Sequence, residues 1–385
     1  MKKVKKESEI EMAGVPGIGN VVASHYNNLE EKGVASRAES RIYHMRNLNN
    51  WIKSMLIGHY TEKIRSDAEA NGEGRVPLRV LDVGAGKGGD FLKWQKARAD
   101  HVVCADIAAT SLEQAKVRHE DMRRRSRSGH LFSAEFVPAD CTKKRLRDLY
   151  RDPDQKFDLV SCQFTFHYCF ESLPQAECML RNISENLRYG GFFIGTTPDA
   201  YDIVSRLEKS GENKIGNSVY SITRRWPEDA ERIPLFGAQV DFHLEGVVDC
   251  PEFLVHFPTL EKLAAKYDLV SYLINTAVKK GPLHHTTIFQ HLIERQRFGR
   301  YFERHRKNGA DLLNRMKALE TYPAVPHGVP LVGRDREEEN YAHAKESVEG
   351  LRANDPHARV GTLSRDEWEA ATLYTIFAFK KRKSC

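Results

Sequence analysis

The sequence predicts an α/β fold built on a doubly wound parallel sheet, and three observations carry that prediction. Apolar runs of strand length alternate with helix-forming runs between Arg79 and Thr197, the pattern of consecutive βα units. The first run, Val80, Leu81 and Val83, breaks at once into the glycine-rich turn of RVLDVGAGKGGD (79–90). The next two, HVVCADI (101–107) and AEFVPAD (134–140), each place a carboxylate near the carboxyl end, Asp106 and Asp140.

The glycine turn is the centre of the chain. Gly84, Gly86, Gly88 and Gly89 lack a Cβ, so the backbone can turn sharply and a ligand can lie against it. Free amides at the start of the following helix then face that ligand. A lone glycine pattern also occurs in ordinary turns. Asp106, about twenty residues on, stands where a Rossmann-type fold sets a carboxylate against ribose hydroxyls. Together these features point to a bound nucleotide.

Around this centre the elements follow in order. Residues 1–20 are charged or glycine-containing and aperiodic and are read as a flexible basic tail; Lys2, Lys3, Lys5 and Lys6 read first as part of a plain disordered end, with a contact for RNA or part of a nuclear address as the alternatives. Ile42, Met45, Leu48, Ile52 and Met55 recur at helical spacing, predicting a helix over 37–58. Off that stripe Asn49, Asn50 and Lys53 form a polar cluster, a solvated face by spacing alone. Helix 88–98, strand 101–107, helix 110–125 and strand 134–140 come next. Strand 157–164, a helix 172–189 stopped by Gly190-Gly191, and strand 192–197 complete the alternation.

The second half is less regular. VYSITRRW, VDFHLEGVV, FLVHF and LVSYLINTA read as strands, and 259–266 as a helix. Residues 285–320 suggest a helical insertion, Pro323 to Pro356 a loop, and ATLYTIFAFKK (371–381) a closing strand.

Composition limits the function classes. At 385 residues a sizeable core is assured. No apolar stretch reaches the length of a membrane span, so no membrane partner is expected. The seven cysteines are an odd number without a CxxC pair, which argues against a zinc cluster or a disulfide framework and for a reducing compartment. The net charge is +6, with basic residues bunched at 123–127, 143–147 and 295–307. Any one bunch reads as a solvated helix face; several on one chain favour a polyanionic partner. His284, His285 and His291 have no acidic or cysteine company at ligand spacing and are read as structural.

The GAGKGG loop departs from dinucleotide spacing, and Asp82 sits two residues before its first glycine. This resembles the first motif of class I S-adenosylmethionine-dependent methyltransferases, which makes an NAD enzyme the weaker reading. HYN followed by SRIYHMRNLNNWIKSMLI, then LDVGAGKGGD, CQFTFHY, GGFFIGTTPDAYDIV, PEFLVHFP and LYTIFAF, closely resemble the eukaryotic mRNA cap guanine-N7 methyltransferase family. The match runs from about Val22 to Phe379. Ala85 stands where relatives often carry cysteine, Phe166 where smaller residues are common, and 321–362 matches poorly and looks expanded.

The resemblance implies one catalytic domain over 21–385, with a cofactor-binding half at about 37–200 and cap-binding and inserted elements at about 200–385. It implies that Lys53, Gly84, Asp106, Asp140, Gln163 and Tyr168 surround S-adenosylmethionine, with Lys53 toward the methionine carboxylate. Asn49, Asn50, His167, Glu252 and Tyr374 would meet the cap guanine, and Lys87, Lys93 and Arg118 the cap ribose and triphosphate. Without the resemblance, Tyr168 reads as a packing aromatic, Gln163 as a strand-end residue, His167 as a core histidine and Tyr374 as a strand aromatic. Because guanine N7 carries a free lone pair, neither a catalytic base nor a metal is expected. The implied partner is 5′-capped RNA, with an activating subunit or the tail of RNA polymerase II as a further partner. A monomeric catalytic unit working in the nucleus is expected. Two other classes stay open: a class I methyltransferase acting on another substrate, and a catalytically silent module that binds cap or RNA.

Overall fold

The computed structural model describes residues 18–28, 40–126, 131–227, 230, 232–271, 295–323 and 338–382. Strands β1 (Arg79–Val83), β2 (His101–Asp106), β3 (Ser133–Pro138), β4 (Phe157–Gln163) and β5 (Leu187–Pro198) lie parallel in the order β3-β2-β1-β4-β5. The order reverses between β1 and β4, and such a switch point opens a crevice at the strands' carboxyl ends. Gly84 and Phe164 stand immediately beyond β1 and β4. The closing strand β14 (Tyr374–Lys381) is antiparallel beside β5, and short β10 (Leu269–Ser271) and β11 (Gln296–Arg297) pair antiparallel with β14.

Alternation along each strand builds two cores. Val80, Val102, Leu159 and Ile194 pack on one face with α2 (Tyr43–Ala70), α3 (Phe91–Lys96) and α4 (Ala109–Arg125). Leu81, Val103, Val160 and Phe193 pack on the other with α5 (Leu173–Glu185) and α7 (Phe257–Ala265). Burial on both faces is what a central parallel sheet requires.

Helix α2 is longer than the spacing predicts. Its buried stripe continues through Leu56, Ile57, Tyr60, Ile64 and Ala68, so the helix runs on to Ala70. The expected tail is also shorter at its far end, since Ile18 to Asn20 belong to α1 (Ile18–Asn28). Residues 1–17, which hold the four lysines, lie outside the described residues, as do His284, His285 and His291.

Helix α5 ends at Glu185 rather than at the glycine pair, because the Asn186 side chain donates to the carbonyls of Pro153 (2.9 Å) and Gln155 (2.7 Å) and turns the chain. Gly190 and Gly191 then fall inside β5. VDFHLEGVV is two strands: β6 (Lys214–Gly216), β7 (Tyr220–Arg224), β8 (Gln239–Leu244) and β9 (Val248–Phe253) form a four-stranded antiparallel sheet, with a turn at Gly246 between β8 and β9. FLVHF contributes only Phe253 to a strand, because Pro258 near the start of α7 favours helix from Phe257.

The described part of the insertion carries α8 (Phe298–His305) and α9 (Ala310–Arg315). They are tied to α2 by Trp51, whose indole N–H donates to the Gly309 carbonyl at 3.1 Å. Within the expected loop the described residues include a short helical turn at Glu338–Tyr341 and α10 (Ala342–Arg352). Strand β12 (Glu320–Tyr322) pairs with β13 (Val360–Thr362), and α6 (Ala200–Ser210) and α11 (Arg365–Ala371) complete the described elements.

Candidate active site

A cavity of about 590 Å³ opens at the switch point. Its floor is the turn after β1, where Gly84 takes φ +73° and a Cβ would meet the Thr165 hydroxyl at 2.3 Å. Only glycine fits there. Asp106, at the end of β2, accepts from the amides of Gly86 and Ala108, each at 2.8 Å. Burial raises its pKa against the lowering effect of those two amides. Asp140 follows β3; it accepts from the Thr142 amide at 3.0 Å, and its second oxygen lies 3.3 Å from Lys143 Nζ.

Gln163 closes β4 and donates to Ser161 Oγ at 3.1 Å, while its buried Oε1 has no donor among the described residues. Tyr168 stands on a tight helical turn, Phe166–Glu171, with its hydroxyl 3.3 Å from Cys250 Sγ and 3.4 Å from the Tyr26 hydroxyl. Burial raises the Tyr168 pKa well above its ordinary value.

Opposite these groups, His167 and Glu252 form a second wall. The histidine is 1% and the glutamate 4% exposed, with Nε2 3.3 Å from Oε1. Glu252 comes from β9, so the small antiparallel sheet supplies this carboxylate to the main sheet's cavity. Tyr374 begins β14 and packs edge-on against Phe164 at 5.0 Å. Burial, then the nearby Glu252 carboxylate, raises its pKa well above the usual value.

From α2, Arg46, Asn49, Asn50 and Lys53 all line the cavity. Their three- and four-residue spacing puts them on one helix face, so the cluster that reads as solvated from spacing alone faces the cavity instead. Asn49 Oδ1 is buried without a donor among the described residues. Lys87 and Arg118, from the glycine loop and α4, line the cavity as well.

Thirteen of the fourteen sequence-predicted site residues thus share one cavity, and Lys93 is the exception. Lys93 Nζ instead lies 2.7 Å from Asp90 Oδ1 and donates to Asn50 Oδ1 at 3.1 Å and to the Gly89 carbonyl at 3.3 Å. The same Asp90 oxygen is 2.7 Å from Lys53 Nζ. Burial alone would raise the Asp90 pKa, yet the two ammoniums pull it below the usual range. The neighbouring Asp82, which accepts from the Trp94 indole at 3.0 Å, is pushed up by burial and by the Asp90 charge.

Sequence reasoning missed Tyr26, Arg46, Asp90 and Glu171. Arg46 had a signal, its one-turn spacing from Asn49 and Asn50. Tyr26 and Asp90 lay inside the quoted motifs. Glu171 lines the cavity from the end of the turn that carries Tyr168 and accepts from Gln175 Nε2 at 2.6 Å, and nothing local marks it.

Residues 9–382 match the model of the mRNA (guanine-N(7))-methyltransferase domain. The chain is 45% identical over 381 residues to the mRNA cap guanine-N(7) methyltransferase of Drosophila melanogaster, covering 98% of this chain and 80% of that one. It is 39% identical to the protein of the same description from Caenorhabditis briggsae and 38% identical to that from Caenorhabditis elegans, each over 94% of this chain and 87% of the relative. With the family's match spanning nearly the whole chain, this protein belongs to the mRNA (guanine-N(7))-methyltransferase domain family.

Proposed function

We infer that this chain transfers a methyl group from S-adenosylmethionine to N7 of the 5′-terminal guanine of capped mRNA. The observation that carries the reading is a single cavity lined both by the acids suited to an adenosine, Asp106 and Asp140, and by the set suited to a guanine, Asn49, His167, Glu252 and Tyr374. The relatives' shared description, mRNA cap guanine-N(7) methyltransferase, supports it. Capping accompanies mRNA synthesis, so the nucleus is the place of work and 5′-capped RNA the partner.

The residues present fit the cofactor. Gly84 leaves room for close approach, Asp106 accepts from ribose hydroxyls, Asp140 from the adenine amine, and the donorless Gln163 Oε1 supplies a further acceptor. Lys53 meets the methionine carboxylate, and Tyr168 closes the pocket. When bound, S-adenosylmethionine supplies an electrophilic methyl group on a sulfonium sulfur. The chain's own task is placement.

Glu252 accepts from guanine N1-H and the exocyclic amine, an edge that adenine does not offer. As N7 gains a methyl group the ring becomes cationic, and N1-H becomes more acidic. A carboxylate held at that edge therefore binds the transition state more strongly than the neutral base. His167 and Tyr374 hold the ring plane, and alignment of this kind contributes on the order of 7 to 11 kcal/mol. N7 has no proton to remove, so no side chain acts as a general base. Lys87 and Arg118 meet the cap ribose and phosphates.

Thermal stability tests the assignment. In the presence of S-adenosylhomocysteine, a GpppG cap analogue should raise Tm further, while free guanosine and peptides should not. An equal rise with guanosine would remove the cap from the reading.

A further inference from the structure

We propose that the RNA strand beyond the cap runs along α4, with Arg125 holding a backbone phosphate downstream of the group met by Arg118. The proposal rests on the functional reading above. A capped message is a polyanion whose first part occupies the cavity, so the remainder must leave it over a neighbouring surface. Helix α4 offers such a way out. Ser111 and Arg118 both line the cavity.

Seven residues make nearly two helical turns, so Ser111, Arg118 and Arg125 form one stripe down the helix. Ser111 is 2% exposed, Arg118 is half-buried and Arg125 is exposed, so the stripe climbs from the cavity wall to the open surface. At about 1.5 Å per residue Arg125 stands about 10 Å along the axis from Arg118. That distance is about three steps of a stacked strand at ~3.4 Å each.

The other cations of this helix are placed differently. Arg124 is paired with Asp121, one turn before Arg125, and Lys116 lies 4.0 Å from Glu113 Oε2. At about 100° per residue, Arg123 and Arg124 both stand more than about 100° round the helix from the stripe. Among the described residues Arg125 has neither an ion-pair partner nor a hydrogen-bond acceptor, so its guanidinium is open to a phosphate. Arginines in a last turn also offset the helix dipole. That role is indifferent to the face they occupy, whereas a phosphate path requires the stripe.

The test compares three full-length variants of equal charge, Arg125→Gln, Arg124→Gln and Arg123→Gln, each keeping a good helix former. With S-adenosylhomocysteine present, calorimetry gives Kd for GpppG and for capped RNAs of increasing length over a range of salt. Methyl transfer by wild type comes first: no transfer to capped RNA sinks the functional reading itself, and transfer leaves α4 to be judged by its variants.

Wild-type affinity should rise as the RNA lengthens past its first few nucleotides. Arg125→Gln should weaken the longer RNAs about fourfold near physiological salt and lower the slope of log Kd against log salt by about 0.7. Its GpppG affinity should stay within about twofold of wild type, with kcat at saturating RNA unchanged. Arg123→Gln and Arg124→Gln should keep the wild-type slope. A wild-type slope in Arg125→Gln, equal losses in all three variants, or a loss shared by GpppG would overturn the path. So would a wild-type affinity independent of RNA length. Tighter binding of polyglutamate than of uncapped RNA, lost in Arg125→Gln, would give the stripe to an acidic protein and overturn it as well.

Discussion

Glu252 and Asp106 separate the two tasks of the site at the scale of single residues. On the proposed function, Glu252→Ala removes the carboxylate that would strengthen its hold as guanine becomes cationic, so kcat should fall on the order of 100-fold with S-adenosylhomocysteine affinity unchanged. Near-normal methylation of capped RNA by this variant would remove Glu252 from the mechanism. Asp106→Ala should abolish cofactor binding in calorimetry, and an unchanged affinity would take Asp106 out of the site. Asp106 and Asp140 were legible because each ends an apolar run, where a strand's carboxyl end meets the crevice. Asp90 was not, although it closes the loop motif itself. Its ion pairs depend on how α2 and α3 pack, which brings Lys53 and Lys93 to one oxygen, and no local spacing encodes that meeting.

Helix α2 brings Arg46, Asn49, Asn50 and Lys53 to the cavity, and its mounting decides how well they are held. Trp51 is fully buried, edge-on to Phe302 at 5.8 Å, and bonded to the Gly309 carbonyl. Trp51→Ala should therefore cost about 3 to 5 kcal/mol in chemical denaturation. At the other end Glu367, on α11, accepts from the Met45 amide at 3.0 Å and from Ser364. Burial pushes its pKa up to about 8 from an ordinary 4.5, against the lowering effect of those bonds.

The folded state thus keeps a proton that the unfolded chain gives up. Stability contributed by Glu367 is full below about pH 4.5 and is lost as pH rises toward 8. Glu367→Gln should flatten the fall in Tm across that window, and parallel curves for the two proteins would refute the assignment. The period of α2 was legible from its apolar stripe, while its start at Tyr43 falls later than the expected 37. Its contacts with α9 and α11 were not, because they join residues more than 250 positions apart.

For the whole molecule, the parallel doubly wound sheet and the place of the site at its strands' carboxyl ends were legible because alternation and glycine turns are local signals. The small sheet was harder to see: β8 and β9 run together as one apolar stretch, and only the turn at Gly246 divides them. Charge was legible in amount but not in use. Arg295 and Arg297 are tied to Asp199 and Asp202, Arg145 to Glu185, and Arg147 to Asp154, so much of the bunched basic charge is already neutralised. Lys87 and Arg118 line the cavity and are the groups we propose for the phosphates. Capped-RNA affinity should fall with added salt, and Arg118→Gln should reduce the slope of log Kd by about 0.7. A response independent of salt would reduce the basic bunches to surface charge.

The most direct measurement is transfer of a radiolabelled methyl group from S-adenosylmethionine to RNA ending in GpppA or GpppG, followed by nuclease digestion and identification of the labelled nucleoside. This reading predicts label in the cap as N7-methylguanosine. Label at any other position, or no transfer to capped RNA by protein that binds the cofactor in calorimetry, would contradict it.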